Sequence, residues 1–190
     1  MFIIKNKYYL IIESIKDIDL KKIKSFNKYI IIYRNYKKIE NIDKLRTFRE
    51  KCKAKKVEFF IANNVNLLIK LKVDGLYISA HNKNLSLNRL KNTKYKLIGS
   101  AHNIKEINLK KKQGCSEILF SRLFKTSYKN KESFLGIVGF NLFKISTKEN
   151  LVPLGGINSS NLNKLNIVKC DSIALLSEVK KKPAIFSRLF

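Results

Sequence analysis

Eight short runs of β-branched, aromatic and other apolar residues recur along this chain. They are Tyr8–Ile12, Tyr29–Tyr33, Val57–Ile61, Gly75–Ser79, Lys96–Ser100, Glu117–Ser121, Leu151–Leu154 and Ser172–Leu176. Several are apolar without alternation, the pattern of strands covered on both faces. Between them lie stretches with helical spacing, such as Ile42, Leu45, Phe48 and Cys52, then Leu67, Leu68 and Leu71, then Ile104, Ile107 and Leu109. Asn158–Ser160 offers N-cap residues ahead of Leu162, Leu165 and Val168. A strand followed by a helix, repeated at roughly 20-residue steps, is the signature of βαβ units and a parallel sheet. Eight such units predict an α/β fold, a compact parallel (β/α)8 TIM barrel, with residues 1–190 forming a single domain. Such barrels more often take about 250 residues, so this one is trimmed. A doubly wound sheet is the structural alternative, but no Gly-x-Gly-x-x-Gly follows the first run. The longest connection, Arg122 to Asn150, has room for a helix and an active-site loop.

Composition narrows the class further. An apolar share of 45% suits a packed core, and no run of about 18 apolar residues suggests a membrane span. The three cysteines, Cys52, Cys115 and Cys170, are odd in number and widely spaced, which fits reduced structural thiols and a cytoplasmic location. The formal charge of +26 invites a nucleic-acid reading. The excess is almost all lysine and is spread along the chain, so specific nucleic-acid binding is not expected. Phosphorylated small molecules suit the charge equally well, and oligomeric state is left open.

In a parallel barrel, chemistry gathers at the C-terminal ends of the strands, and phosphates often bind after the last two. There the sequence places Arg34, Asn63–Asn64, His81–Asn82, Ser100 with His102, Ser121–Arg122, Thr126–Lys129, Gly155–Gly156 and Ser177. The adjacent glycines let backbone amides approach an anion, with the alternative of a tight turn required by packing. Their place in the barrel favours the phosphate. Arg122 and Lys129 belong to a basic stretch that would clamp a diphosphate, although on charge alone a solvated loop is the better reading. His102, and likewise His81, is a candidate base or hydrogen-bond donor, with a helix cap or loop contact as the commoner role of such a histidine.

At these residues the chain resembles the thiamine-phosphate synthase family and its thiazole-tautomerase relatives. Four segments carry the resemblance: FIANNVNLLIKLKVDG (Phe60–Gly75), IGSAHN (Ile98–Asn103), GCSEILFSRLFKTSYK (Gly114–Lys129), and LGGINSS (Leu154–Ser160) with DSIALLSEV (Asp171–Val179). The resemblance implies the joining of hydroxymethylpyrimidine diphosphate to a thiazole phosphate, with release of diphosphate and with Mg²⁺ as cofactor. It assigns Arg34, Ser100 and Lys129 to the catalytic set. Thr126, Arg122, His102, Gly155, Gly156 and Ser177 fall to substrate binding, with the thiazole phosphate at Gly156 and Ser177.

The departures are as informative. The family's Mg²⁺-binding aspartates fall on Asn63 and Asn82, whose neutral oxygens are weaker ligands. Where the tautomerase relatives carry a catalytic His, this chain has Arg122. The expected function is therefore a divergent thiamine-phosphate synthase-like transferase in thiamine biosynthesis. The alternative is a non-catalytic barrel that binds a thiamine-related phosphate, and a basic nucleic-acid binder ranks third.

Overall fold

The computed structural model describes residues 5–23, 27–35, 40–126 and 133–176. Its strands are β1 (Lys7–Ile12), β2 (Tyr29–Tyr33), β3 (Glu58–Ala62), β4 (Gly75–Ile78), β5 (Lys96–Ala101), β6 (Glu117–Ser121), β7 (Leu151–Leu154) and β8 (Ser172–Leu175). They pair in sequence order as a closed, all-parallel barrel, with β8 returning to β1. The register sets Tyr8 against Tyr29 on one side and against Ile173 on the other. The seam between β7 and β8 is narrower, held in register at Leu154 and Ala174 alone.

Alternate strand residues divide the core in two. Tyr9, Ile11, Ile30, Ile32, Phe60, Tyr77, Ile98, Leu119, Val152, Leu154 and Ala174 fill the barrel. The intervening positions, such as Tyr8, Leu10, Ile31, Phe59 and Phe120, join the helices in an outer layer. This double burial removes the polar alternation that a one-sided sheet would show.

Among the described residues four α-helices pack outside: α1 (Ile42–Ala54), α2 (Val65–Leu71), α3 (Ile104–Lys112) and α4 (Gly136–Thr147). The first three start at asparagines whose side chains accept an N–H of the first turn: Asn41 from Asp43, Asn64 from Leu67 and Asn103 from Glu106. α1 buries Leu45, Phe48 and Cys52 on one face, as their spacing predicts. α4 lies in the long connection after β6. It buries Phe140 and leaves Val138, Leu142 and Ile145 exposed.

The remaining connections show how so short a chain closes eight strands. Two three-residue 3₁₀ turns, Ile15–Asp17 and Leu20–Lys22, link β1 toward β2. The 3₁₀ segments Leu85–Asn92 and Leu162–Ile167 serve after β4 and β7. The last differs from the helix expected after Asn158–Ser160. Asn158 spends its Oδ1 on the backbone N–H and hydroxyl of Ser160, closing a local turn, and the 3₁₀ segment begins only beyond Asn161.

Candidate functional site

Carrying the inward positions of the strands one step further names the barrel mouth: Glu13, Arg34, Ser79, Ser100 and Ser121. Arg34 extends the β1–β2 ladder, donating its N–H to the Ile12 carbonyl at 2.8 Å. Ser79 and Ser100 are buried polar residues.

The loops after β6 and β7 are pressed together. Leu123 donates to the Leu154 carbonyl at 3.0 Å, and Phe124 to the Gly155 carbonyl at 3.1 Å. Gly155 and Gly156 have φ of +95° and +71°. A Cβ on Gly155 would meet Arg122 Cγ at 3.0 Å, and one on Gly156 would lie 2.4 Å from the Phe124 carbonyl oxygen. Gly156 is thus demanded by a close approach of backbone, whereas at Gly155 the positive φ and the neighbouring Arg122 side chain together favour glycine. The same approach gathers Arg122, Thr126, Gly155 and Gly156 at one edge of the mouth. The Thr126 hydroxyl there is buried with no hydrogen-bond partner among the described residues. A buried hydroxyl left in that state calls for an acceptor or donor from elsewhere.

A second cluster ties the ends of β3 and β4. Asn63, at φ +56°, accepts the Ser79 N–H on its Oδ1 at 3.0 Å and donates its Nδ2 to Ser79 Oγ at 3.0 Å. Asn82 Nδ2 donates to the same Asn63 Oδ1 at 3.1 Å, while Asn82 Oδ1 accepts the Asn84 N–H at 3.0 Å. Beneath it lies a buried cation. Lys110 Nζ donates to the Asn82 carbonyl and to Gln113 Oε1, both at 2.8 Å, and Gln113 Nε2 bridges the Asn82 and Asn84 carbonyls at 3.0 Å. Both side chains are fully buried. Burial pulls the Lys110 pKa down, opposed by the neighbouring Cys115 and Glu106.

His102 and His81 face one another with ring centroids 6.3 Å apart. His102 is engaged at the start of α3, its Nδ1 3.0 Å from Glu106 Oε2 and its backbone N–H donating to the same oxygen at 2.7 Å. Burial raises the Glu106 pKa, but the bonds from His102 and Asn103 outweigh it and hold the carboxyl below its usual value. Lys129 and Ser177 lie outside the described residues. The cysteines are unreactive by environment: burial pushes the Cys52 and Cys115 thiols up to about 12.

The family model described as thiamine monophosphate synthase matches residues 12–179, from the end of β1 through all the later strands. The chain belongs to that family. It is 31% identical to the thiamine-phosphate synthase of Pelagibacter ubique over 164 residues, covering 83% of this chain and 78% of the relative. The match to a thiamine-phosphate synthase of Prochlorococcus marinus is 27% identical and covers 67% of this chain, but only 37% of that protein. Among solved structures, thiamine phosphate pyrophosphorylase from Pyrococcus furiosus superposes with a TM-score of 0.76 at 18% identity, over 98% of this chain and 93% of that one. At that identity the likeness speaks to the fold.

Thiamine-phosphate synthases are in general Mg²⁺-dependent, and the family's pattern would place the ion at Asn63 and Asn82. These residues do not fit it. Asn63 Oδ1 has both lone pairs committed, to Ser79 N–H and Asn82 Nδ2, and neither side chain carries charge. Among the described residues no group of three His, Cys, Asp or Glu is placed to hold a metal ion. Reasoning from sequence identified Asn63 and Asn82 but missed Ser79, Lys110 and Gln113. Alternation along β4 would have marked Ser79. Lys110 and Gln113 follow Ile107 at three-residue intervals, on the apolar stripe of α3.

Proposed function

We propose that this chain is a thiamine-phosphate synthase-like transferase acting at the C-terminal mouth of its barrel. The observation that carries the reading is the family match itself, which takes in every strand end that supplies the mouth. In the reaction, a thiazole-phosphate nitrogen forms a bond to the methylene carbon of hydroxymethylpyrimidine diphosphate. The bond from that carbon to the diphosphate oxygen breaks, and its electron pair leaves with the diphosphate. The task of the protein is to hold both phosphates and stabilise the departing charge. Arg34 and Ser100 are assigned to the diphosphate, together with Arg122, Thr126 and Lys129. The Thr126 hydroxyl, buried and without a partner among the described residues, supports that assignment. Gly155, Gly156 and Ser177 are assigned to the thiazole phosphate, and His102 to substrate contact through the Nε2 that Glu106 leaves open.

Purified full-length protein given both precursors is expected to form thiamine phosphate, and Arg34→Ala to lower kcat/KM by about 10²–10³-fold. No product at high enzyme concentration would sink the catalytic reading. A second reading, a barrel that binds a thiamine-related phosphate without turning it over, is favoured by the neutral Asn63–Asn82 pair. Calorimetric binding of thiazole phosphate without product formation would select it.

A further inference from the structure

We infer that this mouth holds its anionic ligand without a divalent cation, because the Asn63–Asn82 amide pair ties together the two loops that a metal would otherwise bridge. The inference rests on the reading that the mouth takes a phosphorylated ligand. It starts from the orientation of the two amides, which main-chain donors fix. The Ser79 N–H points at Asn63, so the atom facing it is the oxygen, and the Asn84 N–H fixes Asn82 in the same way. Asn82 is left to donate and Asn63 to accept, and they meet at 3.1 Å. Turning either amide over would set two donors or two acceptors together.

Charge gives the same answer. Two carboxylates at this separation would repel strongly and require a cation between them, whereas two amides satisfy each other. The loop after β4 also has a cation already. The fully buried Lys110 ammonium lies 2.8 Å from the Asn82 carbonyl, fixed on its far side by Gln113. A divalent ion on the opposite side of Asn82 would find neutral amide oxygens in place of carboxylates and would face that ammonium.

Two measurements on the full chain test this. The first is calorimetry with inorganic pyrophosphate, in excess chelator and then in millimolar Mg²⁺. Dissociation constants within about threefold of each other are expected, and binding about tenfold or more tighter with Mg²⁺ would overturn the inference. No binding in either condition would instead remove the ligand reading, and the second measurement would still decide the role of the amide pair.

The second follows thermal unfolding with magnesium chloride against sodium chloride at equal ionic strength. The native chain should respond to the two salts alike. Asn63→Asp keeps the oxygen that accepts from Asn82, the Ser79 hydroxyl can turn to donate where it now accepts, and the midpoint should hold. Asn82→Asp turns a carboxylate oxygen onto Asn63 Oδ1 and should lower the midpoint by about 4–8 °C. The double variant should recover stability with Mg²⁺ specifically. Equal losses in the two single variants, or a Mg²⁺-specific rise in the native chain, would refute the arrangement.

Discussion

Gly156 shows how a single residue can be conspicuous in sequence for a reason the sequence does not contain. Two of only seven glycines stand together after an apolar strand, and that was enough to mark them. What requires Gly156 is the backbone of Phe124 and Lys125, more than thirty residues earlier, packed where a Cβ would stand. Gly156→Ala is expected to cost about 2–4 kcal/mol, from a positive φ and an overpacked contact together, read as a lower midpoint in chemical denaturation. Gly136, also at positive φ but with nothing near its missing Cβ, would suffer only the first of these. Lys110 is the opposite case. One lysine among many in a strongly basic chain looks like solvated surface, yet it is fully buried. Gly99 makes the space, since a Cβ there would stand 2.8 Å from Lys110 Cγ. The pairing of a glycine on β5 with a lysine on α3 is legible only once the strand and helix are packed.

At the scale of elements, the strands were readable because double burial leaves β-branched runs little changed from end to end. β2, β6 and β7 have the bounds their composition predicts. Helix α3 was readable from Ile104, Ile107 and Leu109, but the device at its start was not. Asn103 caps the helix, while Glu106 reaches back to the His102 N–H and ring. Glu106 has a depressed pKa in the folded chain. Its contribution is therefore fully present above the unfolded carboxylate pKa and is lost as pH falls through the lower folded value. Glu106→Gln should cost about 1 kcal/mol at neutral pH, and the gap to the native chain should narrow as pH falls below the ordinary glutamate value of about 4.3 and close in stronger acid. Unfolding curves collected across that range would show it, and a gap that persists in acid would contradict the assignment. The connections were the least legible elements. Whether a polar stretch becomes an α-helix or a 3₁₀ turn depends on how much space the neighbouring helices leave, as the Asn158–Ser160 turn illustrates.

For the whole molecule, the net charge of +26 is spread rather than focused. It is carried by lysines spread through helices, turns and connections, such as Lys51, Lys72, Lys83 and Lys148, while the strand ends at the mouth supply Glu13, Arg34 and serines. The closed ring has one further consequence. β1 and β8 share register from Lys7 and Ser172 to Leu10 and Leu175, and Lys5 Nζ donates to the Cys170 carbonyl at 2.7 Å. The seam between β7 and β8 has a single register pair, and Pro153 of β7 has no N–H to give either neighbour. β8 is therefore attached more firmly to the start of the chain than to the strand before it. In amide hydrogen exchange, Ile173–Leu175 should open by a sub-global route on the order of tenfold faster than Ile30–Ile32, which pair on both sides. Equal protection of the two strands would mean that the ring opens only as a unit. If the seam does part first, the Gly155–Gly156 turn beside it loses a wall before the rest of the barrel does. Slow breathing of the scaffold and occupancy of that end of the mouth would then be one equilibrium, with a bound ligand acting as the clasp.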